Sequence, residues 1–143
     1  MLEQKKIKIL IVDDDEDIRS SICQRLELEG FDALWAKNGR VALDYLVAMT
    51  DENLPRLILL DYMMPVMNGQ DFCNEKNKFE RLADIPVVMM TASGNLINIM
   101  DRIDDDANGY MAKPLDDQTI LKMIKHFISA EDLEAQAPDC LSI

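Results

Sequence analysis

The sequence predicts an α/β fold: a doubly wound, five-stranded parallel sheet with helices on both faces. Apolar segments at 7–12, 57–60 and 85–90 are short, continuous and rich in Ile, Val and Leu, as strands buried on both faces require. The stretches between them carry apolar residues at helical spacing, and each strand candidate is followed by polar or turn-forming residues. Strand and helix therefore alternate, the pattern that lays strands parallel and packs the crossovers on either side.

In chain order, the strand at 7–12 leads to a helix whose apolar positions are Ile18, Ile22, Leu26 and Leu28. A weaker strand at 32–36, ending near Trp35, precedes a helix marked by Val41, Ala42, Tyr45 and Leu46. The third strand, 57–60, is followed after Gly69 by a helix with Phe72, Lys76 and Phe79 on one side. The fourth, 85–90, is followed after Gly94 by a helix with Leu96, Ile97, Met100 and Ile103. A fifth, weaker strand at 109–112 and a last helix from Asp116 through Phe127 complete the pattern. At 143 residues the chain has room for one ordinary domain. Residues 1–6 read as a lead, 7–130 as the domain and 131–143 as a helix extension or tail.

Composition narrows the function. Hydrophobic residues at 48% and charged residues at 29% are the balance of a folded globular chain. A formal net charge of -12, with no basic patch larger than Lys5, Lys6 and Lys8, argues against direct contact with DNA or RNA. Cys23, Cys73 and Cys140 are odd in number and lack metal-ligand or redox spacing, so they read as reduced thiols of a cytoplasmic protein. No segment approaches a secretory signal or a membrane span.

In a doubly wound sheet, ligands bind outside the carboxyl ends of the strands, where strand order reverses. Strand one ends in Asp13, Asp14, Asp15, Glu16 and Asp17, and strand three ends in Asp61. The acidic run taken alone reads as capping and solvation of a helix start, which suits Asp15 to Asp17. With the tips of strands one and three side by side, however, Asp13, Asp14 and Asp61 converge. Carboxylates a few ångströms apart raise one another's pKa unless a cation joins them, and Mg²⁺ suits an all-oxygen site that also meets a phosphate. Strand four ends in Thr91, a hydroxyl donor, and strand five leads to Lys113, a positive charge. A carboxylate nucleophile, a metal clamp, a hydroxyl and an ammonium together suit phosphoryl transfer to Asp61.

The strings ILIVDDDEDIR, LILLDYMMPVMNG, IPVVMMTA and GYMAKPL, in that order and spacing, resemble the receiver domain of bacterial response regulators over about residues 6–130. The resemblance implies a flavodoxin-like strand order 2-1-3-4-5. It also implies that Asp61 accepts a phosphoryl group from a histidine kinase or histidine phosphotransfer protein in a two-component phosphorelay. Mg²⁺ would be held by Asp13, Asp14, Asp61 and the backbone carbonyl of Met63. Thr91 and Lys113 would contact the phosphoryl oxygens, and Tyr110 would rotate inward as Thr91 is drawn to the phosphoryl group. The fourth helix, fifth strand and fifth helix, residues 95–128, would present the surface that meets a downstream protein. The chain would catalyse only its own phosphorylation and dephosphorylation, as a monomer or a phosphorylation-dependent homodimer, and Lys113–Pro114 would be a cis peptide.

The sequence departs from the family at Asn68-Gly69, where Asp-Gly is common, at Arg56, where an acid is common, and in DDDANGYMAKP before strand five. Asp104, Asp106, Asn108 and Gly109 begin a calcium-loop pattern, but Leu115 stands where its last glutamate is required. His126 reads as a surface helix histidine, and Met63, Met64, Met67, Met89 and Met90 as adaptable packing. Fewer than about twenty residues follow the last helix, too few for an output domain, so the chain reads as a stand-alone regulator or relay intermediate. A receiver excised from a larger hybrid kinase or regulator is the close alternative. An aspartyl phosphohydrolase would carry a general acid where Met63 stands, and a phosphorylation-independent interaction module would not need the intact set of five side chains.

Overall fold

The computed structural model describes residues 6–64, 66–92, 108–113, 115–128 and 133. Five strands form one sheet: β1 (Lys8–Val12), β2 (Asp32–Ala36), β3 (Leu57–Asp61), β4 (Val87–Ala92) and β5 (Gly109–Lys113). All neighbours are parallel, in the order β2-β1-β3-β4-β5. The described helices are α1 (Glu16–Leu28), α2 (Gly39–Ala48), α3 (Gly69–Lys76), a single turn α4 (Glu80–Ala83) and α5 (Asp117–Phe127).

The apolar runs are continuous because both faces of the sheet are covered. Alternate residues go to opposite sides of a strand. Leu10, Val12, Ile58, Leu60, Val87 and Met89 pack with Ala42, Leu43 and Leu46 of α2, Phe72 and Cys73 of α3 and Leu82 of α4. Ile9, Ile11, Leu57, Leu59, Val88, Met90 and Met111 pack with Ile22 and Leu26 of α1 and Ile120 and Ile124 of α5. Every residue from Ile9 to Val12 and from Leu57 to Leu60 has no exposed surface. Each such side chain contributes about 1.5–3 kcal/mol relative to an exposed one.

Helix starts follow short polar side chains. Asp15, Asn38, Asn68 and Asp116 cap α1, α2, α3 and α5, each accepting from a backbone N–H of the first turn. The chain leaves α1 through Gly30 at φ 93°, a conformation that costs glycine little.

Several expected core positions differ. Leu28 is 72% exposed, and Val41, Tyr45 and Phe79 also face outward, so the inner stripe of α2 is Ala42, Leu43 and Leu46. α3 ends at Lys76, leaving Phe79 to start the α4 turn. That turn and a 3-10 turn at Asp51–Asn53 are elements the apolar pattern does not predict. The expected helix with Leu96, Ile97, Met100 and Ile103 lies outside the described residues, as do the 104–107 loop, Pro114 with its expected cis bond, and Cys140.

Candidate functional site

The carboxyl end of the sheet gathers the charged side chains that the strand tips carry. Asp13, immediately after β1, has no exposed surface. Its N–H extends the β1–β2 ladder by donating to Ala36 O at 3.2 Å. Its Oδ1 accepts from Asp15 N–H at 2.9 Å, and its Oδ2 accepts from Lys113 Nζ at 2.9 Å. Asp14 is exposed beside it. Asp15 turns the other way, its Oδ1 accepting from the N–H groups of Asp17 and Ile18 at 2.9 and 3.2 Å. The acidic run thus divides: its first two members join the cluster and the third caps α1.

Asp61 ends β3 and is 6% exposed. Its Oδ1 accepts from Met63 N–H at 3.3 Å and lies 3.4 Å from Lys113 Nζ. One carboxylate oxygen from each of Asp13, Asp14 and Asp61 falls within 4.8 Å of the others. Burial, then the charge of Asp13, pushes the Asp61 carboxyl up from 3.8 to about 6, against the pull of Lys113 and the Met63 N–H. Burial works against the Lys113 ammonium, but its bond to Asp13 and the charges of Asp61 and Asp13 outweigh this and raise its pKa. Lys113 therefore supplies part of the positive charge that converging carboxylates demand, a part that the sequence reading assigns wholly to a cation.

Thr91 lies on β4, one position past the Met90 that pairs with Asp61. It is 1% exposed, and its Oγ1 has no hydrogen-bond partner among the described residues. A buried hydroxyl left without an acceptor or donor costs about 1–3 kcal/mol. Tyr110 pairs with Met89 across β4–β5 and packs, partly buried, on the same face of the sheet as Met89. By strand alternation Thr91 and Tyr110 face the same side. The Met63 side chain is 64% exposed at the rim, as is Val66 at 65%.

The donors fit Mg²⁺. They are all oxygen, they converge, and the charge they concentrate already displaces the Asp61 equilibrium. Two further contacts escape sequence reading, one at the site and one at the opposite end of the sheet. Arg19 Nη1 donates to Asp13 O at 3.0 Å, and its guanidinium lies 4.4 Å from the Trp35 ring centroid. Arg19 ends the first turn of α1, six residues after Asp13, and because it meets a backbone carbonyl no sequence signal marks it. Asn108 closes the amino end of β5 by exchanging bonds with Val87, its N–H donating to Val87 O at 2.8 Å and its Oδ1 accepting from Val87 N–H at 2.9 Å.

Comparison with known proteins agrees with this architecture. Residues 9–125 match the response regulator receiver domain family. The chain is 34% identical over 130 residues to the DNA-binding dual master transcriptional regulator RpaA of Synechocystis, covering 91% of this chain and 52% of that protein. It is 34% identical over 117 residues to the phosphate regulon transcriptional regulatory protein PhoB of Pseudomonas aeruginosa, covering 82% and 49%. The chain thus spans about half the length of these relatives, and the expectation of no direct nucleic-acid contact finds no support among them. Among solved structures, the chemotaxis protein CheY4 of Vibrio cholerae superposes with a TM-score of 0.73 at 26% identity, covering 87% of this chain and all of that one. The receiver domain of a signal transduction histidine kinase from Syntrophus aciditrophicus gives 0.75 at 27% identity, covering 85% and 89%. Among the described residues, no helix is long and apolar enough to cross a membrane. With the strand order 2-1-3-4-5, the acidic tip cluster and the family match in agreement, the chain belongs to the response regulator receiver family.

Proposed function

We propose that this chain is a cytoplasmic receiver that accepts a phosphoryl group on Asp61 from a phosphohistidine of a kinase or phosphotransfer protein. The observation that carries the reading is the convergence of the Asp13, Asp14 and Asp61 carboxylates, with Asp61 pushed up to about 6, beside a buried Thr91 hydroxyl on the adjacent strand that has no hydrogen-bond partner among the described residues. Perturbed carboxylates that converge beside a buried hydroxyl suit a site for a charged ligand.

In the proposed step, a carboxylate oxygen of Asp61 attacks phosphorus, the P–N bond breaks, and its electron pair stays on the imidazole, which is protonated as it leaves. Asp13, Asp14, Asp61 and the Met63 carbonyl would hold Mg²⁺, which would neutralise charge among the oxygens when bound. Lys113 exchanges its contact with Asp61 for a phosphoryl oxygen, and the Thr91 hydroxyl donates to another. Lys113 needs little movement, since it already lies 3.4 Å from Asp61.

Movement of Thr91 toward the phosphoryl group would open space on its face of the sheet for Tyr110, coupling the site to a surface that includes β5 and α5; the fourth helix expected on the same face lies outside the described residues. Residues 7–130 form the receiver unit, between a lead of 1–6 and a tail of 131–143. The unit occurs in proteins named as a DNA-binding regulator and as a histidine kinase, so the donor is specified here by its chemistry alone. Incubation with acetyl phosphate and Mg²⁺ tests the reading. Intact mass is expected to show one phosphoryl adduct that EDTA suppresses; no adduct, with no Mg²⁺ binding, would leave an interaction module that keeps only the fold.

A further inference from the structure

We infer that Arg19 is a positioning residue for the cation site: it orients the Asp13–Asp14 peptide, and Trp35 holds it in place to do so. The inference rests on the metal site of the proposed function and adds residues that lie outside the cluster itself.

Four contacts hold the three polar groups of Asp13: its N–H, its carboxylate and its carbonyl. β2 takes its N–H through Ala36 O, Lys113 and the Asp15 N–H take its carboxylate, and Arg19 Nη1 takes its carbonyl at 3.0 Å. The carbonyl bond matters most for Asp14. A peptide group is planar, so fixing the Asp13 carbonyl fixes the plane from which the Asp14 backbone departs. Asp14 is exposed, and among its described neighbours this plane is the constraint that the geometry supplies. Without it, three converging carboxylates would push Asp14 outward, since like charges at such distances repel.

An arginine four residues into α1 has other carboxylates within reach, including Glu16 on its own helix. Its direction is set by the half-exposed Trp35 ring on β2, whose face lies 4.4 Å from the guanidinium carbon. The stack keeps the cation over the edge strand and leaves Nη1 aimed at a carbonyl. It also keeps a positive charge from entering the carboxylate cluster, where it would compete with the metal.

The account predicts an effect opposite in sign to plain electrostatics. Removing a cation beside a metal site should strengthen metal binding; removing Arg19 is expected to weaken it. Mg²⁺ dissociation constants by titration calorimetry, on the whole chain, decide between them. Arg19→Gln is expected to bind about tenfold more weakly, the low end of what loss of a partner behind a metal ligand costs. Arg19→Lys, which keeps a cationic donor, is expected to recover most of that loss, and Arg25→Gln, the same charge change elsewhere on α1, to bind as the wild type does. Equal or tighter binding by Arg19→Gln overturns the inference while the wild type still binds. Absence of binding by the wild type overturns instead the metal reading beneath it. If Arg19→Gln melts below the titration temperature, Trp35→Leu carries the comparison: binding about threefold weaker supports the inference, and unchanged binding overturns it.

Discussion

Among the described residues, two places bury a charged side chain, and they do so in opposite ways. Lys76, at the end of α3, is 2% exposed, and its ammonium donates to Ala83 O at 3.0 Å and to Asn77 Oδ1 at 3.3 Å. It thereby caps the last turn of α4 and sits at the negative end of its own helix. Asp61 is 6% exposed, but it faces Asp13, its carboxyl is driven up to about 6, and the neighbouring Thr91 hydroxyl has no hydrogen-bond partner among the described residues. The first arrangement is closed and joins two helices. The second gathers carboxylates with one lysine, the arrangement that the proposed cation and phosphoryl group would complete. Buried polarity that is satisfied holds structure, and buried polarity that is left incomplete marks where a ligand acts.

Exchanging the lysines sharpens that contrast. Lys113→Ala is expected to slow acetyl phosphate-driven adduct formation about 100-fold, as loss of one preorganised donor to a developing oxyanion does. Time-resolved intact mass measures it. Lys76→Ala is expected to leave the phosphorylation rate of the folded protein unchanged but to cost about 3 kcal/mol in urea unfolding, because the Ala83 carbonyl and a buried stem lose their partner. A slow but stable Lys76 variant would erase the distinction.

The Asp61 equilibrium gives the next effect. A carboxyl raised from 3.8 in the unfolded chain to about 6 in the fold binds more protons when folded, so metal-free stability falls as pH rises through that window. The full linkage is reduced by water at the open side of the site, leaving a loss of about 1–2 kcal/mol between pH 4 and pH 7. Asp61→Asn should flatten this slope and be the more stable protein at pH 7, and saturating Mg²⁺ should reverse the wild-type loss. A wild type that gains stability over the same range without metal would contradict the assignment.

Thr91→Val is the smallest change. Replacing an unpartnered buried hydroxyl by a methyl is expected to stabilise the unphosphorylated protein by up to about 1 kcal/mol. It should also abolish any phosphorylation-dependent change at Tyr110, read by its fluorescence or ring NMR signals.

Much of the fold is legible in the sequence because parallel strands covered on both faces must be apolar throughout, and Ile9–Val12 and Leu57–Leu60 are. The helices are less so. Leu28, Val41 and Tyr45 fit a helical stripe by spacing yet face solvent, since the inner face of a short helix is set by the sheet it meets. The α4 turn and the Asp51–Asn53 turn are too short to show a period. In the site, Asp13, Asp14, Asp61, Thr91 and Lys113 stand at strand tips, where topology alone brings residues together. Arg19 was hidden because its contact is with a backbone carbonyl, which no residue pattern displays.

The most direct test of the central claim is to locate the phosphoryl group. Protein incubated with acetyl phosphate and Mg²⁺ is reduced with borohydride, which converts an aspartyl phosphate to homoserine, and its peptides are sequenced by mass spectrometry. The account predicts homoserine at position 61 alone, lost in Asp61→Asn. Homoserine at Asp13 or Asp14, or a phosphoryl group on His126, would contradict it.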